Sequence, residues 1–196
     1  MKITNVETFP VRVSFEGVMP ATHVVLRLRT DAGLEGVSYV SRIAPYQMAP
    51  MVSMIQGLAE LLKDEDVAEP GRIYARLYRD VLGAPVSGLE LRAASALEVA
   101  SWDLKGKALG IPVYKLLGAA RERVPVSANW RLAPGQLERD ALAAHVQDIL
   151  SRGFRALKCP VGFAALDVAI AHIKFVRACA GADNEDHHRR LISSGA

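Results

Sequence analysis

The feature that most constrains the fold of this chain is an alternation of strand-like and helix-like segments from residue 124 onward. Residues 124–130 and 154–161 have the length and composition of strands, whereas residues 137–151 and 164–180 carry apolar side chains at helical spacing. Strand, helix, strand, helix in this order predicts parallel βαβ pairing, because two parallel strands need a crossover connection between them.

The first forty residues follow a different pattern, that of an antiparallel meander. Strands are predicted over residues 2–13, 22–30 and 34–40, and the second of them alternates apolar and polar side chains. Pro10 is expected at a sheet edge, because proline cannot donate to the ladder. Gly33 provides the left-handed position of the short loop between the second and third strands.

Helical periodicity takes over after the meander. It predicts one helix within residues 46–63, a second that opens at Pro70, and a third over residues 89–109 that ends at Gly110 and Pro112. A meander followed by helices is typical of an α+β unit. Residues 182–196 lack periodicity and are polar, so they predict a disordered or weakly helical tail without a third barrel strand.

Composition narrows the classes of function. The chain has 196 residues, a net charge of +3 and interspersed charges of both signs, which argues against nucleic acid as a partner. No apolar run reaches the ~18 residues of a membrane span. The first residues show no apolar segment and no cleavage site of a signal peptide, so export is not expected. Cys159 and Cys179 lie in apolar periodic segments without metal-ligand spacing, which favours reduced core cysteines in a cytoplasmic protein.

Three segments carry a resemblance to a known family. They are the hairpin Val24–Tyr39, the helix and exit turn Ala93–Gly118, and the strand Gly153–Lys158 followed by Val161 and Gly162. The chain resembles the mandelate racemase/muconate lactonizing enzyme family of the enolase superfamily, in particular its mandelate racemase-like members.

The resemblance implies a domain organisation. It predicts an α+β capping domain, a three-stranded antiparallel meander plus helices, over residues 1–120. It also predicts the first two βα units of an incomplete (β/α)8 TIM barrel over residues 121–182, followed by a polar tail at residues 183–196. A complete barrel has eight strands and about 250 residues, so we expect a truncated chain, such as a frameshifted or prematurely ended gene product.

The resemblance also implies chemistry. Family members bind Mg²⁺, which holds the carboxylate of a hydroxy acid or acid sugar while a base removes the proton α to that carboxylate. A small carboxylate substrate is therefore expected, and the resemblance implies a homo-oligomer for an intact chain. Because the metal ligands and the second lysine are missing, we expect this chain to be catalytically incomplete. The alternatives are a non-catalytic fragment that packs with an intact homologue, and a product without any function.

Lys158 is the predicted catalytic residue. The family's second barrel strand ends in Lys-x-Lys, and strand alternation points both lysines into the barrel. Here the sequence is Lys158-Cys159-Pro160, so Lys158 matches the first lysine and Pro160 stands at the position of the base. Proline cannot accept a proton, which favours a one-base dehydration over a two-base racemisation. The alternative is a lysine at a strand end that is held by a neighbouring carboxylate.

Six further residues are predicted to contact substrate. Four lie in the two loops that close the barrel mouth in the family, here Gly17–Thr22 and Ser41–Pro50, and two lie near the end of the first barrel strand. They are Val18, Met19, Ser41, Ile43, Ser127 and Asn129. The alternative for each is ordinary packing or hydrogen bonding within its own unit.

Metal ligands are not predicted in this chain. The family's three carboxylates come from the third, fourth and fifth strands, and only two barrel strands are predicted here. Acidic residues and a pair of histidines occur near the end, and we interpret them as parts of a solvated tail (Asp183, Glu185, Asp186, His187 and His188). In the third helix, Trp102 is predicted to lie in the core and Asp103 to form an ion pair or cap.

Overall fold

A computed structural model describes seven segments of the chain: residues 1–15, 18–66, 69–81, 88–129, 138–161, 164–181 and 190–194. The chain divides into two compact units, Met1–Ala120 and Arg121–Ala196.

The first unit opens with a three-stranded antiparallel sheet. Its strands are β1 (Ile3–Phe15), β2 (Val18–Thr30) and β3 (Glu35–Val40), in the order β1-β2-β3. The predicted meander is therefore confirmed. However, β2 begins at Val18 rather than at residue 22, because this segment pairs with the end of β1, as in the pair Phe15 and Val18.

Alternation along β2 explains why the sheet has one buried face. Val24, Leu26 and Leu28 have no exposed surface, whereas the intervening Val25 and Arg27 are half-buried. Successive side chains of a strand point to opposite faces, so a single register buries all three apolar residues together.

Helices supply the rest of the first core. A 3₁₀ turn at Pro45–Gln47 precedes four helices, which are α1 (Met48–Glu60), α2 (Pro70–Val81), α3 (Gly88–Leu109) and the short α4 (Val113–Leu116). Each of the first three buries large apolar side chains, among them Met51, Ile55, Ile73, Leu77, Leu97 and Leu104. The three predicted helices are confirmed.

Helix α3 lies unusually close to β3. A Cβ atom built on Gly36 would lie 2.2 Å from the carbonyl oxygen of Ala100 and 2.6 Å from Cγ of Leu104. Ala93, Ala96 and Ala100 are buried on the same helix, and small side chains permit this approach.

Two charged side chains of α3 satisfy backbone groups of the edge strand β3. Asp103 accepts a hydrogen bond from the Val37 amide at 2.8 Å, and Lys107 donates to the Glu35 carbonyl oxygen at 2.8 Å. The two side chains also pair with each other at 2.7 Å. The predicted ion pair or cap at Asp103 is therefore confirmed.

Trp102 departs from its predicted core position. It is half-buried, its indole N–H donates to Glu98 at 3.4 Å, and the Lys105 ammonium lies 5.6 Å from the ring centroid. One face of α3 already packs on the sheet and the other helices, which leaves Trp102 at the rim.

The second unit contains a three-stranded parallel sheet with two helices. Its elements are β4 (Ala128–Asn129), α5 (Arg139–Ser151), β5 (Ala156–Pro160), α6 (Leu166–Cys179) and β6 (Arg190–Ser194), with strand order β4-β5-β6. The first two βα units are confirmed. The expectation that no strand follows residue 182 is wrong for residues 190–194, which pair in parallel with β5.

The second unit has a small core of its own. Val146 of α5, Cys159 of β5 and Val176 of α6 have no exposed surface, and Leu142, Ile149 and Leu157 complete the cluster. Cys159 is thus a core cysteine, as predicted. Residues 117–127, which precede β4 and contain the boundary between the units, are all exposed.

Within the described segments, no helix combines the length and apolar character that crossing a bilayer requires.

Candidate active site

Lys158 lies on the face of β5 that is turned away from the core of the second unit. Its neighbours Leu157 and Cys159 are 7% and 0% exposed and pack with α5 and α6, so alternation places Lys158 on the opposite face. Lys158 is half-buried, and its ammonium forms no ion pair or hydrogen bond with the residues that the structure describes. No described carboxylate pairs with Lys158, so these residues do not support the alternative interpretation of a lysine held by a neighbouring carboxylate.

The strands on either side of β5 give Lys158 uncharged neighbours. Asn129 of β4 and Ile192 of β6 stand in register with it. Ala128, which packs on the core, precedes Asn129, so Asn129 shares the face of Lys158. The structure therefore brings together two predicted site residues, Lys158 and Asn129. Ser127 is exposed and lies just before β4.

Pro160, two residues after Lys158, cannot act as an acid or a base. Pro160 ends β5 and stands in register with Ser194 of β6. Its ring nitrogen is part of an amide bond and carries no proton, so this position does not supply a base. Cys159, between the two, points into the core, where burial raises the pKa of its thiol to about 11. At neutral pH this thiol is protonated and a poor nucleophile.

The described residues do not fit the magnesium site that the family resemblance implies. They contain no group of three or more His, Cys, Asp or Glu side chains placed to hold a metal ion. The third strand, β6, carries Arg190-Leu191-Ile192-Ser193-Ser194 and has no carboxylate. Mg²⁺ in proteins is held chiefly by carboxylate oxygens and water, and the described residues bring together no such set of ligands.

Of the residues of the first unit that were predicted to contact substrate, two lie in a strand and one lies in the core. Val18 and Met19 belong to strand β2, so the expectation of a loop at these positions is wrong. Gly17, the first residue of that predicted loop, lies outside the described residues. Ile43 is 2% exposed and belongs to the core, which favours the alternative of ordinary packing, and its contact with substrate stays a prediction.

Hydrogen bonds hold the segment Ser41–Ile43 against both β2 and α3. The Ser41 carbonyl oxygen accepts a hydrogen bond from the Arg92 guanidinium of α3. The Ile43 amide donates to the Thr22 carbonyl oxygen at 3.1 Å, and the Thr22 hydroxyl donates to the Ile43 carbonyl oxygen. The structure thus joins the two predicted substrate segments through backbone groups.

Arg42, at the centre of this segment, has φ +53° and an exposed side chain. A left-handed backbone costs a residue with a Cβ about 1–2 kcal/mol. The sequence contained no signal for it, because Gly, Asn and Asp, not arginine, are enriched there.

Comparison with known proteins decides the family. Residues 1–118 match the N-terminal domain of mandelate racemase / muconate lactonizing enzyme, which is more than half of the chain. The chain belongs to this family. The resemblance found in the sequence, and the capping domain and barrel fold that it implied, are confirmed for this family member.

Named relatives of this family member are enzymes. D-gluconate dehydratase of Thermoproteus tenax is 32% identical over 136 residues, which are 69% of this chain and 27% of that protein. D-galactonate dehydratase of Ralstonia nicotianae is 27% identical over 205 residues and covers 97% of this chain and 49% of that protein. Other relatives are a cycloisomerase and epimerases.

A solved family member agrees with the fold of both units. A mandelate racemase/muconate lactonizing enzyme from a marine actinobacterium, in complex with magnesium, has a TM-score of 0.80 and 25% identity. The match covers 98% of this chain and 51% of that one. The chain therefore spans about half the length of this family member, and between a quarter and a half of the two dehydratases.

Proposed function

We propose that this chain provides the capping unit and the lysine-bearing second strand of an enzyme that removes the proton α to a carboxylate. The substrate class is a hydroxy acid or an acid sugar, and we favour dehydration over racemisation. The observation that carries the proposal is Lys158, a cation that pairs with none of the described residues, on the face of β5 turned away from the core and in register with Asn129.

Lys158 supplies electrostatic stabilisation in this proposal. Removal of an α-proton adds negative charge to a group that already bears a carboxylate, and a fixed ammonium lowers the free energy of that developing charge. Asn129, in register on the neighbouring strand, offers an amide that both donates and accepts hydrogen bonds, which suits a sugar hydroxyl.

Pro160 supports dehydration over racemisation. A two-base racemase needs a proton acceptor on each face of the α-carbon, and the strand position that carries one of them in the family is a proline here. Dehydration needs one base and an acid for the leaving hydroxyl. The base comes from outside the described residues.

A turnover assay tests the reaction. The purified chain is incubated with Mg²⁺ and, separately, with D-gluconate, D-galactonate and each enantiomer of mandelate. The readouts are formation of a keto-deoxy acid and loss of optical rotation. We expect the chain on its own to be catalytically incomplete. Any turnover should form keto-deoxy acid from a sugar acid and leave the rotation of mandelate unchanged. Lys158→Met should lower kcat/KM by a factor of about 100 or more, while Lys174→Met, an exposed change on α6, should leave it unaltered.

Racemisation of mandelate without dehydration of a sugar acid would show that racemisation, not dehydration, is the favoured reaction. Absence of turnover by a chain that circular dichroism shows to be folded would contradict catalysis by this chain alone and favour the second candidate below.

A second candidate is a non-catalytic module that packs with an intact homologue. Pro160 and the lack of a metal-ligand group among the described residues favour it. Co-elution of the chain with a full-length family member, in the absence of turnover, would support this candidate. The cytoplasmic location and the homo-oligomer remain predictions.

A further inference from the structure

The three-stranded sheet of the first unit has an outer face, opposite the face on which the helices pack. Leu26 of β2 points toward the helices and belongs to the core. Its neighbour Val25 therefore points to the outer face. Phe9 of β1 and Tyr39 of β3 stand in register with Val25, so these three side chains form one apolar row across all three strands.

The aromatic side chains of the outer face are exposed and yet held in place. Phe9 is 40% exposed, Tyr39 is 65% exposed, and Val37 on the next row is 44% exposed. The Arg27 guanidinium lies 5.1 Å from the centroid of the Phe9 ring, and the His23 ring meets Tyr39 edge-on with 6.1 Å between centroids. Side chains that already occupy one position lose less conformational freedom when a partner covers them. Contiguous exposed apolar groups with polar neighbours are typical of association surfaces.

The charges of the outer face neutralise one another. Arg27 and Arg29 each pair with both Glu7 and Glu35, at distances between 2.5 and 3.5 Å. The hydrogen bond from Arg27 holds the pKa of the Glu7 carboxyl below its ordinary value, so this carboxylate is ionised at neutral pH. Two cations and two anions leave no net charge in this group. Such a face does not repel a copy of itself, and it offers no unpaired charge to a strongly acidic or basic partner.

The size of the outer face suits a weak dimer. Strands β1 and β2 have 13 residues each and β3 has 6. At about 3.4 Å per residue and about 4.8 Å between strands, the sheet presents roughly 500 Å². Two copies would together cover about 1,000 Å², which lies at the lower end for specific protein interfaces.

We propose that two copies of this chain associate face to face through the outer faces of their antiparallel sheets, about a two-fold axis. A two-fold contact uses the same surface on both copies and so requires a self-complementary surface. Interfaces commonly have an apolar centre and a polar rim. The row Phe9, Val25 and Tyr39 provides the centre, and the neutral group of ion pairs lies toward the rim. This inference does not depend on the proposed reaction.

Sedimentation equilibrium of the full chain tests the proposal. Over loading concentrations from about 1 to 100 μM, we expect a monomer–dimer equilibrium with a Kd on the order of 10 μM. Tyr39→Lys should raise this Kd at least tenfold, because it places an unpaired charge at the centre of the contact. Val37→Lys, on the next row of the same face, should act in the same direction. Tyr74→Lys is the matched control, since it makes the same change at an exposed tyrosine of α2 and should leave Kd unaltered.

A mixing experiment tests the two-fold arrangement. Tyr39→Glu alone should weaken association as Tyr39→Lys does. An equimolar mixture of the two variants should associate at least tenfold more tightly than either variant alone, because opposite charges then meet across the contact between identical surfaces. Circular dichroism should show the same secondary structure for every variant, since each altered side chain is exposed.

The remaining outcomes overturn the proposal. A chain that stays monomeric at every concentration has no such contact. An unchanged Kd in both Tyr39→Lys and Val37→Lys, or an equal loss in Tyr74→Lys, would place the dimer contact elsewhere. A mixture that does not regain affinity, or association beyond the dimer, contradicts a closed two-fold contact. None of these results changes the expected turnover, so the proposed reaction is tested separately.

Discussion

The two units of this chain differ in how many apolar side chains they bury and in the side-chain contacts made to their sheets. Among the described residues, the core of the first unit contains eighteen buried apolar residues and that of the second contains six. The first unit also has α3 side chains bound to the backbone of its edge strand β3. In the second unit, the face of β5 opposite the core carries the half-buried cation Lys158.

Parallel strands are normally covered on both faces. The described residues of the first unit bury more apolar side chains than those of the second, and they include three non-glycine residues with positive φ, Arg42, Asp64 and Ala119. In the second unit, Lys158 and Asn129 share the face of the sheet that is turned away from the core. The following predictions test this contrast, beginning with the largest effect.

Matched leucine truncations compare the two cores. Leu97→Ala in α3 removes a side chain with no exposed surface and should lower the free energy of unfolding by about 2–5 kcal/mol, near the upper end. Leu142→Ala in α5, which is 5% exposed, should fall near the lower end because fewer buried side chains surround it. Urea titration followed by tryptophan fluorescence measures both free energies of unfolding. In the Trp130→Phe background, Trp102 reports on the first unit. In the Trp102→Phe background, Trp130 reports on the second unit. An equal or larger loss for Leu142→Ala would remove the contrast.

A second prediction concerns the close contact between β3 and α3. Gly36→Ala places a Cβ 2.2 Å from the backbone oxygen of Ala100, so the helix must shift, at a cost of about 1–3 kcal/mol or more. The control is Gly57→Ala in α1, where nothing lies within 4 Å of the added Cβ. That change should instead stabilise the unit by about 0.5–1 kcal/mol. Thermal denaturation should therefore shift Tm in opposite directions, and a neutral Gly36→Ala would refute the close packing.

Removal of one carboxylate in each unit gives a smaller effect. Asp103→Ala deprives the Val37 amide of its acceptor and Lys107 of its partner, and should cost about 1 kcal/mol. Asp103→Asn should restore part of this, because its amide oxygen still accepts. Asp148→Ala breaks an exposed pair with Arg152 at 3.8 Å and should cost less than about 0.5 kcal/mol. Equal losses in urea titrations of Asp103→Ala and Asp148→Ala would show that the bond to β3 contributes nothing.

The smallest expected effect is a difference in acid sensitivity. Burial lowers the pKa of His172 in α6 below 6.5, so the unfolded chain binds more protons and the second unit loses stability as pH falls below 6.5. Hydrogen bonding from Arg27 lowers the pKa of Glu7 below 4.5, so the first unit loses this contribution only as pH falls below 4.5.

Urea titrations of the two tryptophan reporters at several pH values measure the order of these losses. His172→Gln should flatten the pH dependence of the second unit, and Glu7→Gln that of the first. If the first unit lost free energy of unfolding at a higher pH than the second unit, this prediction would be wrong.

Much of the fold was predictable because local patterns and tertiary packing agree. Alternation in β2 predicted the side of the sheet that Leu26 and Leu28 occupy, and helical spacing predicted the buried face of α2. Asp103 was also predicted as an ion pair or cap, since charged side chains on a helix three or four residues apart meet.

The predictions that were wrong concern features that depend on contacts with residues distant in the sequence. Val18 was predicted in a loop because Gly17 and Pro20 favour turns, yet pairing with β1 draws it into β2. Strand β6 has little apolar character and owes its conformation to the neighbouring β5. The left-handed conformation of Arg42 was not predicted, because it accompanies tertiary hydrogen bonds of Ser41 and Ile43 that the sequence does not reveal.

The exposed stretch at residues 117–127 has a practical consequence for how this chain can be taken apart. It carries Arg121 and Arg123 in solvent-accessible backbone, where trypsin cuts after arginine, and the boundary at Ala120 falls inside it. A short digestion is therefore a route to the two halves as separate polypeptides, each with its own core. Such a digestion separates the core within Met1–Ala120 from the core within Arg121–Ala196.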